Sequence, residues 1–191
     1  QYYEVANDVV YQNYRLVIDD ASASPSLSEV RLEGALSASA YLYNDITKNG
    51  GEFSSSDNAA HDVLKAVADN NPQSTVKLPL GTDTWIMYKS AVPTTVKQYS
   101  VCSGANYTLT PKKWTLQVSN DGEKWQTAST QNSASFTRSG QVRSYNTSLS
   151  DKYTYFRLLI TAAQNASASE VEIGEWQING LCVSSSDIVS K

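Results

Sequence analysis

Hydrophobic and polar positions alternate with a period of two along most of this chain. The clearest run is Trp114-Thr115-Leu116-Gln117-Val118, which sends its apolar members to one side and its polar members to the other. Similar short runs, rich in aromatic and β-branched residues, occupy residues 13–19, 84–88, 96–101, 114–119, 155–161 and 172–178. Each is bounded by Ser, Asn, Asp, Gly or Pro, so each is predicted to be a strand. Ser119-Asn120-Asp121-Gly122 is predicted to be a tight turn, because Asn and Gly tolerate a positive φ. Half-buried strands with frequent turns predict an all-β, antiparallel β-sandwich rather than a parallel α/β sheet. One short helix interrupts the pattern: His61, Leu64, Val67 and Ala68 recur at helical spacing, with Ser56 and Asp57 as caps and Asp69-Asn70-Asn71-Pro72 as the stop.

The chain also repeats part of itself. Tyr14-Arg15-Leu16-Val17-Ile18 matches Phe156-Arg157-Leu158-Leu159-Ile160, and each is followed by a Ser/Ala-rich stretch and a Glu-bearing strand closing on Gly34 or Gly180. A tail repeated without its body suggests that residues 1–34 are the last strands of a preceding sandwich, or a strand pair docked on this one. Residues 35–182 then form the main domain and 183–191 a tail. No signal peptide opens the chain, which begins inside a strand-like run; it reads as a piece of a larger protein with its targeting signal upstream.

Composition removes several functions. The formal net charge is −4 with no block of like charges, so no nucleic-acid partner is expected. No apolar run approaches the ~18 residues that span a bilayer, so no membrane partner is expected either. Twelve Tyr and four Trp against three Phe favour side chains with an apolar body and a polar tip, which suit both half-buried strands and sugar-facing loops. Cys102 and Cys182 are either bridged or free and buried; two cysteines make neither a disulfide framework nor a zinc knuckle. The chain has a single histidine, and Glu170 and Glu172 would share one strand face rather than oppose each other across a cleft. A conventional acid–base pair is therefore missing, and the chain is expected not to be an enzyme.

A set of ordered motifs resembles the discoidin, or coagulation-factor C-type, superfamily, and within it the family 32 carbohydrate-binding modules attached to glycoside hydrolases and surface proteins of gut bacteria. The most specific piece is Trp114-Thr115-Leu116 running into Ser119-Asn120-Asp121-Gly122 and Trp125. Asp45-Ile46-Thr47, Trp85-Ile86-Met87-Tyr88, Val96-Lys97-Gln98-Tyr99-Ser100, Phe156-Arg157-Leu158 and Glu175-Trp176-Gln177-Ile178 follow in matching order. The resemblance implies a discoidin-like jelly roll, secreted, periplasmic or on the cell surface, that is non-catalytic but accessory to a glycoside hydrolase. It implies a glycan of galactose or N-acetylhexosamine type and linked domains in the parent chain as partners. The alternative is a structural or protein-interaction sandwich that spaces domains in a multidomain secreted protein. A phospholipid-binding role fits less well, since residues 107–113 offer one ring and two lysines in place of protruding apolar side chains.

The same resemblance implies one structural Ca²⁺. Asp69, Asn71 and Thr75 offer hard oxygens at loop spacing, and Glu175, five residues before the closing Gly180, supplies a distant carboxylate. For the glycan, His61, Asn106, Tyr107, Lys112, Lys113, Arg138 and Asn165 are the candidates, with Tyr107 as the stacking ring because it lies in a polar loop. Trp85, Trp114, Trp125, Tyr99, Phe156 and Trp176 are expected to fill the core, and Arg157 to pair internally. The chain departs from its relatives at residues 103–113, which lack the Arg and the acids common there.

Overall fold

Strand pairing turns this alternation into two packed sheets. A computed structural model describes residues 41–184, and their side chains from 45 to 180. One compact unit spans residues 43–182, and the other comprises residues 1–42 and 183–191; the expected extension at 1–34 lies outside the described residues. The strands are Tyr41–Asp45 (β1), Glu52–Ser55 (β2), Val76–Pro79 (β3), Thr84–Thr94 (β4), Val96–Cys102 (β5), Pro111–Ser119 (β6), Gln126–Gln131 (β7), Val142–Asn146 (β8), Tyr153–Ala163 (β9), Glu170–Ile173 (β10) and Glu175–Ser184 (β11). One sheet has the order β1-β11-β5-β8 and the other β2-β4-β9-β6-β7, with β3 and β10 as a separate ribbon. The fold is the expected antiparallel sandwich.

The inner faces meet as the period of two requires. Ile86 and Tyr88 of β4, Leu116 and Val118 of β6, and Phe156, Leu158 and Ile160 of β9 face Tyr99 and Val101 of β5 and Trp176 and Ile178 of β11, all buried. Trp114 is 2% exposed and donates its indole N–H to Tyr99 Oη at 3.1 Å, so its polar tip is satisfied inside the core. Glycine at 122 has φ +77°, as the predicted turn demands. Asp121 accepts from the N–H groups of Glu123 and Lys124 there, and with the Ser119 hydroxyl they hold its carboxyl down at about 2.

Two expectations change. The helix is one turn, His61–Leu64 (α1), continued by a 3-10 turn, Lys65–Ala68, and its cap residue Ala60 makes no side-chain bond. Ser56 and Asp57 serve the preceding loop: Ser56 Oγ accepts from Trp85 N–H, and Asp57 accepts from the Ser55 hydroxyl and Ala59 N–H. Nor do Trp85 and Trp125 belong to the core. Both are only partly buried, outside the five-stranded sheet, where the Arg157 guanidinium lies 4.0 Å from the Trp125 ring centre and 6.0 Å from that of Trp85. Arg157 also donates twice to Gln117 Oε1, at 3.0 and 2.7 Å, so its expected internal pairing holds. Alternation fixes which side chains share a face; it does not say that the face is covered. Cys102 is a free, buried thiol.

The registers also fix the ends of the sandwich. At one end β4, β6, β8 and β11 begin while β2, β5, β7 and β9 finish. The segments that join the strands at this end carry all the candidate site residues except Lys112 and Lys113, which lie at the start of β6, and Glu175, which opens β11.

Candidate functional site

Two neighbouring groups of side chains sit at this loop end. The first is a pair of carboxylates. After the 3-10 turn, residue Asn70 takes φ +65° and swings the chain so that Asp69 faces the start of β11. Asn71 N–H donates to Asp69 Oδ1 at 2.8 Å, and its side-chain oxygen accepts from Gln73 N–H. Burial pushes the Asp69 carboxyl up, but the Ser74 hydroxyl and Asn71 N–H outweigh it and hold the pKa below its ordinary value. Glu175 opens β11 and is 6% exposed, yet neither carboxylate oxygen has a hydrogen-bond partner. Burial first, and the adjoining Asp69 second, push its pKa up to about 7.

Glu175, Asn70, Pro72, Ser100, Cys102 and Gln177 line a cavity of about 170 Å³. An unpartnered buried carboxylate beside a second one is costly unless a proton or a cation lies between them. The donor set, two carboxylates with hydroxyl, amide and main-chain oxygens around them, is of the kind a hard, oxygen-seeking cation takes, and the one soft donor in the cavity, Cys102, is held protonated by burial. Among the described residues no group of three or more His, Cys, Asp or Glu gathers to hold an ion, here or elsewhere, so this pair would depend on hydroxyl, amide and main-chain oxygens for its other ligands. Of the four expected ligands, Asp69 and Glu175 come together. Asn71 acts through its main chain and already uses its side-chain oxygen, and Thr75 turns its methyl toward Gly104. Ser74 was not foreseen.

The second group is a rim made of three segments. Asn165 N–H donates to Thr108 O at 2.8 Å and Gln164 N–H to Thr110 O at 2.9 Å. The Gln164 side-chain amide donates to both Pro111 O and Ala134 O at 3.1 Å, and the Ser139 hydroxyl donates to Ala105 O at 2.6 Å. Residues 103–113, 132–141 and 162–169 are thereby locked into one edge. On it, Tyr107 sits in a 3-10 turn (Tyr107–Leu109) with 38% of its surface exposed. Asn106 Oδ1 caps that turn by accepting from Thr108, and Asn165 Oδ1 accepts from Ser167 N–H; both amides keep their NH₂ donors outward of these bonds. Arg138 is exposed, and its main-chain oxygen accepts from the Ser103 hydroxyl.

The structure thus brings Asn106, Tyr107, Arg138 and Asn165 to one rim, with Lys112 half-buried at its foot in β6 rather than in the loop. His61 does other work: its Nδ1 accepts from Phe53 N–H at 2.8 Å, closing the otherwise open edge of β2, and its ring lies over that of Phe53. One supporting residue escaped the sequence reading. Glu172, 2% exposed, accepts from Asn106 N–H at 2.8 Å and lies 3.7 Å from the Lys77 ammonium. A Cβ on Gly104 would come within 2.4 Å of its Oε1, so only glycine lets the rim loop close on this carboxylate.

No protein-family model matches the chain, and no curated protein matches it in sequence. Solved structures do match the fold. A family 32 carbohydrate-binding module of Clostridium perfringens, in complex with GalNAc-β-1,3-galactose, is 12% identical and aligns over 71% of this chain and 99% of its own with a TM-score of 0.56. An F5/8 type C domain from Bacteroides fragilis is 14% identical over 74% of this chain and 98% of its own, with a TM-score of 0.60. The family 32 module of AlyQ, in complex with 4,5-unsaturated mannuronic acid, is 14% identical over 72% of this chain and 98% of its own, with a TM-score of 0.57. The chain therefore has the discoidin-like fold of the family 32 modules and F5/8 type C domains. Among the described residues, no helix is long and apolar enough to cross a membrane.

Proposed function

We propose that this domain is a non-catalytic glycan-binding module, carried beside a glycoside hydrolase or on a secreted or cell-surface protein. The observation that supports it most is the interlocked rim at the loop end, where an exposed Tyr107 ring stands among the amide donors of Asn106 and Asn165 and the Arg138 guanidinium. A ring for the C–H face of a pyranose and fixed donors for its oxygens are what a shallow sugar site needs. The relatives' complexes with GalNAc-β-1,3-galactose and with 4,5-unsaturated mannuronic acid support a saccharide as the ligand class. Catalysis lacks support: the lone imidazole holds β2, and Glu170 and Glu172 both face Lys77.

The same reading includes a structural Ca²⁺ held by Asp69 and Glu175, with the Ser74 hydroxyl and nearby main-chain oxygens. Such an ion would pin residues 69–75 to β11 and would supply charge, not a reaction. A glycan array probed with the wild-type domain and with Tyr107→Ala tests the binding function. Binding by the wild type that falls by about fivefold to a hundredfold in the variant is expected, by analogy with the roughly 1–3 kcal/mol that an aromatic ring contributes when a base stacks on it. Silence of the wild type across the array at millimolar ligand overturns the reading.

A further inference from the structure

The charged side chains of the rim segments are all cationic; the one carboxylate in contact with them, Glu172, is buried beneath the loop and turned to Lys77. The rim's three segments, residues 103–113, 132–141 and 162–169, contain Lys112, Lys113 and Arg138 and neither Asp nor Glu, and Arg143 follows in β8, in a chain whose net charge is −4. The hydrogen bonds that interlock these segments draw together the stretches of main chain from which these cations project. None forms an ion pair with a described carboxylate. Arg143 donates through Nε to Ser135 O at 3.1 Å, which fastens β8 to the rim and leaves its terminal nitrogens unengaged by described groups. The nearest acids, Glu170 and Glu172, are directed to Lys77, 2.9 and 3.7 Å away.

The hydrogen-bond inventory has the same sense. Asn106 and Asn165 have their side-chain oxygens tied down by Thr108 and Ser167, so what each turns outward is an NH₂ donor. Ammonium and guanidinium groups are donors only. A neutral hexose presents hydroxyls that donate as well as accept, and a site for it normally offers a carboxylate or a free carbonyl. This edge offers amide donors and positive charge and no carboxylate of its own segments, which is the complement of a ligand that accepts and is negative.

We propose that the rim recognises an anionic saccharide, a uronate or a sulfated sugar, with Tyr107 against the ring face and Arg138 and Lys112 toward the carboxylate or sulfate. This rests on the glycan-binding reading and departs from the expected galactose or N-acetylhexosamine ligand, which is uncharged. Because the cations are exposed, much of their contribution is screened by salt, and affinity should decline with ionic strength.

The test is calorimetric titration of the whole chain with polygalacturonate and its carboxyl-reduced form, and with a sulfated galactan and its desulfated form, at low and high salt. Tighter binding of either charged polymer than of its neutral partner, by about tenfold or more, is expected, with the preference shrinking in salt and in Arg138→Gln/Lys112→Gln at unchanged melting temperature. Which charged polymer wins distinguishes carboxylate from sulfate. Equal or tighter binding of the neutral forms overturns the anionic assignment while leaving glycan binding intact. Binding to none of the four, with an array that is also silent, removes the underlying reading instead. Vesicles rich in phosphatidylserine form the last arm: binding there that matches the best polysaccharide overturns the saccharide assignment.

Discussion

Glu172 and Glu175 stand three residues apart and are both nearly sealed from solvent, yet they have opposite surroundings. Glu172 ends in partners: a main-chain N–H from Asn106 and a lysine beyond it. Glu175 has no hydrogen-bond partner at either oxygen and faces a cavity and a second carboxylate, which the nearby Asn71 N–H and Lys48 only partly offset. The first carboxylate is a structural acceptor that seats the rim loop. The second is an incomplete arrangement, stable only with a proton or a cation added. Burial alone does not tell a structural acid from a ligand; the count of partners at each oxygen does.

The comparison can be broken most directly with calcium. Saturating Ca²⁺ should stabilise the wild type by roughly 3 kcal/mol at a hundredfold excess over Kd, read as a rise in melting temperature that a chelator reverses. Glu175→Gln should abolish that response, whereas Glu172→Gln should keep it. A melting temperature indifferent to both calcium and chelator would remove the distinction between the two acids.

A smaller effect sharpens the other side. Glu172→Ala leaves the Asn106 N–H without its acceptor and should destabilise by roughly 1–3 kcal/mol in denaturant titration. Hydrogen exchange should show the Asn106 amide losing protection, and glycan affinity should drop with it. Glu172→Gln, which keeps an acceptor oxygen, should restore both; the loss of its charge matters little because Lys77 is half exposed.

The smallest effect is a pH dependence of the metal-free protein. The folded pKa of Glu175 is raised from 4.5 to about 7, so folding holds its proton more tightly than the unfolded chain does. That contribution is full below the unfolded value and disappears as pH rises through about 7. Chelated wild type should therefore lose stability between pH 5 and 8 relative to Glu175→Gln, as thermal melts across this window would show. An identical profile for the two proteins would mean that Glu175 is not the group titrating.

How much of this was legible beforehand depends on how far apart the interacting residues lie. The turn at Gly122, the sandwich and the burial of Trp114 and Trp176 follow from local pattern and were readable. Glu175 and Asp69 were identified only through resemblance, since nothing local distinguishes Glu175 from Glu170 or Glu172. The bond that His61 makes was not readable, because an imidazole at the start of a helix gives no sign that a strand N–H eight residues earlier will use it. The absence of acids at residues 103–113 was visible in the sequence. That residues 132–141 share the same edge was not, because a side chain from residue 164 fastens them and such long-range bonds leave no periodic trace.

The thiol of Cys102 shares the cavity with Glu175. Burial and then Glu175 push its pKa up to about 11, so at neutral pH it is almost wholly protonated and a slow nucleophile. An ion seated between Asp69 and Glu175 would both offset the negative charge beside that sulfur and stand in the way of a reagent approaching it. Alkylation read specifically at Cys102 should therefore change in rate with what occupies the space beside Glu175.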